Sequence, residues 1–155
     1  MRKLLFLFAA GLAIARPVYA EPDGAAKRTA AALRRFGILN VALSVNCSVG
    51  LDRGGQRWIY RASPGEQSVL IMRTPKGETL WPILMARLMA DKSLHIVLAS
   101  PFAGKPWEIV LRQLPHGTYR TFRSAPLGNR HVFIVENGIY VESHRPTPSL
   151  QRCRE

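Results

Sequence analysis

The sequence predicts a mostly β domain: a single antiparallel meander of about eight or nine short strands, with a short helix on its N-terminal side. Three observations carry this. Apolar and polar residues alternate in short runs, and Gly-, Pro- and Asn-marked turns separate the runs. No segment between them is long enough for the crossover helices that parallel strands need.

Residues 1–20 stand apart from that pattern. Arg2 and Lys3 precede an apolar run at 4–15, and Val18-Tyr19-Ala20 ends in a small residue. This is the composition of a secretory signal peptide cut before Glu21. The run is shorter than the roughly 18 apolar residues of a membrane-spanning helix, and Arg16 interrupts it. No second run of that kind follows, so the mature chain is expected without a transmembrane segment, in the periplasm or secreted. The domain plan is then a signal peptide over 1–20, a short helix or linker over 21–36, and a barrel-like domain with a C-terminal strap over 37–155. About 135 residues remain after cleavage, enough for one core.

The elements follow in order. Residues 21–35 are alanine-rich, with Asp23 as a capping residue and Gly37 as the stop. Their apolar face is mostly alanine, which predicts a lead-in helix that buries little. Residues 41–47 alternate, Val41, Leu43, Val45 and Cys47 on one side. Arg57, Ile59 and Arg61 alternate with Trp58 and Tyr60, and residues 68–73 form a third apolar run. Turns at 50–56, 63–66 and 75–78 separate them. Residues 80–90 suit either helix or strand; a hairpin through Asp91-Lys92-Ser93 into residues 94–99 is the simpler solution and favours strand. Beyond the proline-bearing loop at 100–106, residues 107–114, 118–123 and 131–135 read as strands. Asn137-Gly138 then carries the signal of a two-residue hairpin returning through 139–141. The tail, 142–155, has no periodicity. So many short antiparallel strands close into a small barrel, lipocalin-like in shape, or fold into a sandwich, because both remove exposed edges.

Only two cysteines are present, Cys47 and Cys153. In an exported chain such a pair closes as a disulfide. The loop it encloses, just over a hundred residues, corresponds to roughly 4–5 kcal/mol in the chain-entropy model. The formal net charge is +12. Three of those charges, Arg2, Lys3 and Arg16, belong to the leader, which leaves +9 on the mature chain. That excess favours anionic partners, such as an anionic envelope component, and no specific nucleic acid is implied.

Asn46-Cys47 at the end of the first strand, Asn137-Gly138, and the terminal Pro146-Thr147-Pro148-Ser149-Leu150-Gln151-Arg152-Cys153 together resemble a group of small exported alphaproteobacterial proteins of uncharacterised function. The resemblance runs over residues 36–153. Those relatives commonly carry an aromatic a few residues before the first cysteine, where this chain has Val41-Ala42-Leu43. The resemblance implies a β fold and an exported location, and it transfers no catalytic or binding residue.

Candidate sites are few. Asp52, Glu66, Glu78, Asp91 and Glu136 fall in turns, where carboxylates are expected for solvation alone. Glu108 is the one acid inside a well-marked strand, and it suits a cross-sheet arginine. His95, His116, His131 and His144 fit no local metal spacing, so neither metal nor cofactor is expected. Arg112, Arg120, Arg123 and Arg130, interleaved with His116 and Tyr119, form a candidate anion surface. Arg120 and Arg123 differ in parity, which puts them on opposite faces unless a bulge intervenes. Trp58, Tyr60 and Trp107, with Leu70, Met72 and Ile109, are candidates to line a barrel interior. The functional expectation is a non-enzymatic periplasmic binding or envelope-accessory protein. Its ligand would be a small apolar or amphipathic molecule, or anionic envelope material. The alternatives are an interaction module, such as an inhibitor of an acidic exported partner, and a hydrolase assembled from His95, His131 and Glu108.

Overall fold

The structure is a computed structural model that describes residues 23–62, 66–100, 104–128 and 132–154. The expected leader at 1–20 and the side chain of Asp23 lie outside the described residues. Among the described residues one α-helix, α1 (Asp23–Phe36), precedes ten strands. These are β1 (Ala42–Ser44), β2 (Arg57–Arg61), β3 (Val69–Thr74), β4 (Gly77–Leu88) and β5 (Leu94–Leu98). They continue as β6 (Trp107–Gln113), β7 (Tyr119–Pro126), β8 (Val135–Glu136), β9 (Ile139–Tyr140) and β10 (Gln151–Cys153). All pair antiparallel in one sheet, in the order β10-β1-β2-β3-β4-β5-β6-β7-β8-β9. The fold is therefore mostly β and barrel-like, a meander curled into a half-barrel.

The stretch that suited two readings is β4, a twelve-residue strand. Its N-terminal half pairs with β3 and its C-terminal half with β5, and a bulge at Leu84 marks the handover. A long strand bent at a bulge is a common way for a sheet to turn a barrel corner. Asp91-Lys92-Ser93 closes the β4–β5 turn. The Asp91 carboxylate accepts from the Ser93 amide (3.0 Å) and hydroxyl (2.6 Å), while Lys92 sits at φ +62°. These hydrogen bonds, with the Arg112 guanidinium alongside, hold the Asp91 carboxyl below its ordinary range. The Asn137-Gly138 hairpin forms with both residues at positive φ, as a two-residue turn of this hand requires.

The helix corrects one expectation. It is no lead-in: Thr29, Ala32, Leu33 and Phe36 are buried, and α1 lies in the concave side of the sheet against β4 and β5. Alanine on this face permits close approach, and the two larger residues fill the end of the half-barrel. Thr29 Oγ1 accepts a hydrogen bond from the Ala86 amide of β4 (3.4 Å). The stop is a Schellman turn, with Ile38 N donating to Leu33 O (3.1 Å) and Gly37 N to Arg34 O (3.0 Å). Gly37 takes φ +85° there, and Leu33 and Ile38 are both fully buried behind it.

The tail also differs from an aperiodic strap. Leaving β9, it pairs Pro146 with Ile139 and Leu150 with Tyr119, then joins β1 as β10. It thus crosses the opening between the two edges of the half-barrel. Thr147 Oγ1 donates to Thr121 O (2.7 Å), Thr147 N donates to Gly138 O (2.8 Å), and Arg152 Nε donates to the Tyr119 hydroxyl (2.9 Å). The Cys47–Cys153 disulfide is formed. It lies on the outer face, where Cys153 packs against a small cluster of Ala42, Ile59 and Ile71. Arg57 fastens the loop that brings Cys47 back there, donating to Cys47 O (3.1 Å), Val49 O (2.9 Å) and Ser44 Oγ (3.0 Å).

Candidate functional site: an aromatic cavity in the half-barrel

Strand parity decides what faces inward. On β2, Arg57, Ile59 and Arg61 face out, and Trp58 and Tyr60 face the concave side. Trp58 is opposite Met72, Tyr60 opposite Leu70, and Leu70 opposite Trp81, so one inward row crosses β2, β3 and β4. A second row crosses β5 and β6 through Leu98, Trp107 and Ile109. Helix α1 fills the concave side at one end only. Toward the other end, these rows enclose a cavity of about 370 Å³.

The cavity wall is completed by β7 through Thr121 and Ser124, by Ile134, Val135 and Tyr140, and by the tail through Thr147, Pro148 and Leu150. Trp58, Tyr60 and Trp107, the three interior candidates, all line it, together with Leu70, Met72 and Ile109. Trp58, Trp81 and Trp107 are the only three tryptophans of the chain, and all three are in the wall. Polar groups are sparse. Trp107 Nε1 donates to Ser124 Oγ at 2.8 Å, and Gln56, Thr121, Thr147 and the hydroxyls of Tyr60 and Tyr140 are further polar side-chain groups of the lining residues. Among the described residues no Asp, Glu, Lys, Arg or His lines the cavity. Burial pushes the Tyr60 hydroxyl well above the ordinary tyrosine range, so it stays a neutral phenol. A wall of this kind favours uncharged matter, because an unpaired charge would lose its hydration without compensation. The volume is at the small end of ligand pockets.

Three of the arginine candidates, Arg112, Arg120 and Arg123, sit on the opposite, outer face. A bulge at Phe122 resets the parity of β7: Arg120 is paired with Arg112, Thr121 with Leu111, and Arg123 with Val110. Arg120 and Arg123 consequently share the outer face. Each of these three has an internal use. Arg112 stacks over Phe122 at 3.6 Å and donates to Asp91 Oδ2 at 3.3 Å. Arg120 donates to Ser149 Oγ at 3.3 Å. Arg123 stacks over Phe133 at 4.8 Å and approaches Glu108 Oε1 at 3.9 Å. Arg130 lies outside the described residues. A shallow hollow of about 290 Å³ separates Arg112 and Arg123, and Glu136 shares it, which works against an anion.

Glu108 also meets His95, with Nε2 at 3.2 Å from Oε1 but at an angle that makes no hydrogen bond. Both belong to the outer face, away from the cavity, and His131 lies outside the described residues. Among the described residues no group of three or more His, Cys, Asp or Glu side chains is placed to hold a metal ion. Nor is any helix there long and apolar enough to cross a membrane.

Sequence reasoning missed Trp81, Ile134, Tyr140 and the tail's share of the wall. Trp81 was legible in principle, since a strand over 77–88 opposite β3 puts it beside Leu70. Nothing in the composition of residues 142–150 signals a lining role. Compared with known protein families, characterised proteins and solved structures, the chain shows no significant match.

Proposed function

We propose that this protein binds a small apolar or amphipathic molecule, held in the half-barrel cavity with its buried part uncharged, and that it performs no chemistry on it. The observation that carries this reading is the wall itself: three tryptophans, two tyrosines and, among the described residues, no Asp, Glu, Lys, Arg or His facing the ligand space. Aromatic side chains contribute large contact areas to such a site. Of the two ligand classes expected from sequence, the anionic one has less support. The outer arginines share their face with Glu108 and Glu136 and are occupied by Asp91, Ser149 and two phenylalanine rings. An exported location fits the signal-like residues 1–20 and the closed Cys47–Cys153 bridge. In that setting the protein is an envelope binding or carrier protein of the periplasm.

Because every tryptophan lines the cavity, intrinsic emission reports directly on occupancy. Titration with N-phenyl-1-naphthylamine, a neutral apolar probe, is expected to quench tryptophan emission saturably, and Thr121→Phe, which narrows the cavity, is expected to weaken the effect. A linear, unsaturable response, or wild-type binding by Thr121→Phe, would overturn the proposal.

A further inference from the structure

The cavity has an apolar rim. Val45, Ile134 and Tyr140 belong to its wall, yet they are 49 %, 50 % and 37 % exposed. Val132 and Val141, which do not line it, are exposed beside them. Val141 is held beside Ile134, its amide donating to Ile134 O (3.0 Å), and Tyr140 and Val132 lie one and two positions from these in the chain. In a meander the odd-numbered connections all emerge at one end of the sheet. Among the described residues these are 45–56, 75–76, 99–100, 104–106, 127–128 and 132–134, with the 141–145 turn after β9 at the same end. That end lies opposite α1, so the rim residues and these connections surround one mouth.

The same connections set its charge. Arg73 is paired with Glu78 at 2.7 Å, and Arg53 stands next to Asp52. Lys76, Lys105 and Arg145 remain exposed against Glu142, so the described rim is net positive. Exposed apolar patches of this kind mark docking surfaces. Basic residues within a Debye length of an anionic bilayer are drawn to it. The contents of the cavity point the same way, since a molecule suited to an uncharged aromatic wall partitions into lipid in preference to water.

We propose that the mouth of the half-barrel docks on an anionic lipid bilayer, Val132, Ile134, Tyr140 and Val141 entering the interface while Lys76, Lys105 and Arg145 meet the headgroups. The ligand then passes between bilayer and cavity without crossing water. This rests on the cavity being a site for an apolar ligand.

The test is sedimentation of the protein with vesicles of phosphatidylglycerol or of phosphatidylcholine at low salt, alongside the tryptophan titration with N-phenyl-1-naphthylamine. Partitioning is expected to be at least roughly tenfold stronger on phosphatidylglycerol and to weaken in high salt. Two variants, Val132→Glu/Val141→Glu and Lys76→Gln/Lys105→Gln/Arg145→Gln, alter exposed residues outside the cavity wall. Each is expected to lose vesicle binding about tenfold and to keep probe binding, which also reports that it is folded. Absence of vesicle binding, equal binding to both lipids, or wild-type binding by either variant overturns the docking. So does a stable dimer that Val132→Glu/Val141→Glu dissolves, since the patch would then face a second copy. Vesicle binding that survives while the probe fails to bind refutes the cavity reading alone.

Discussion

Replacing Cys47 and Cys153 together by serine removes a bridge between residues 106 apart in sequence. For a loop of that size the loss of denatured-state entropy corresponds to about 4.7 kcal/mol in the chain-entropy model, and realised values are nearer 2–4 kcal/mol. The lower figure is the better guide here, because the tail keeps its other attachments. Three residue pairs join β10 to β1, Leu150 and Tyr119 exchange two backbone bonds (2.7 and 2.8 Å), and Thr147 and Arg152 keep their partners. Arg57 still holds the loop around Cys47 through the carbonyls of Cys47 and Val49. The fold should therefore survive while its stability drops.

For a domain of this length, 1 kcal/mol moves the melting temperature by about 3–5 °C, so the expected fall is roughly 6–20 °C. Thermal unfolding followed by far-ultraviolet circular dichroism, with and without reductant, measures it. The wild type should fall to the level of the double variant on reduction, and the variant should ignore reductant. Strand signal at low temperature should be the same in all four samples. Oxidised and reduced wild type melting within about 2 °C of each other would refute the reasoning. Loss of the strand signal at low temperature would show instead that the tail's hydrogen bonds cannot hold it alone.

Two further perturbations test other parts of the structure. Leu33→Ala on α1 removes a fully buried side chain from the main core cluster and is expected to cost about 2–5 kcal/mol in urea unfolding; a cost under about 0.5 kcal/mol would return the helix to the role of a lead-in. Asp91→Ala tests the β4–β5 turn through pH. Its carboxyl is held below the ordinary range chiefly by Ser93, so its stabilisation is present above the unfolded-state value of about 3.9 and is lost as pH falls through the lower folded-state value. The stability gap between wild type and variant should accordingly be constant near neutrality and narrow in acid; a gap that stays constant through the acid range would exclude that origin.

The sequence made the strands legible because each carries its own alternation: Trp58 and Tyr60 between arginines, Trp107 and Ile109 on either side of Glu108. Parity alone was enough to point these aromatics inward. The hairpin at Asn137-Gly138 and the turn at Asp91 were legible for a different reason, since the turn conformations there select those residues. What escaped depends on partners distant in the chain. Alanines on α1 look weakly apolar in isolation, and only the concave sheet makes small residues the right fit for a helix pressed into it. Arg120 and Arg123 share a face only because β7 inserts Phe122, and no local pattern announces that bulge. The tail is the extreme case. Its residues meet β9, β7 and β1, the last about a hundred positions earlier, largely through backbone bonds, so periodicity has nothing to report. Yet this segment carries part of the cavity wall, in Thr147, Pro148 and Leu150. The bridge at Cys153 thus has two consequences. It anchors the chain end, and it keeps in place the segment that gives the cavity its last side, which ties the stability of the fold to the shape of the cavity.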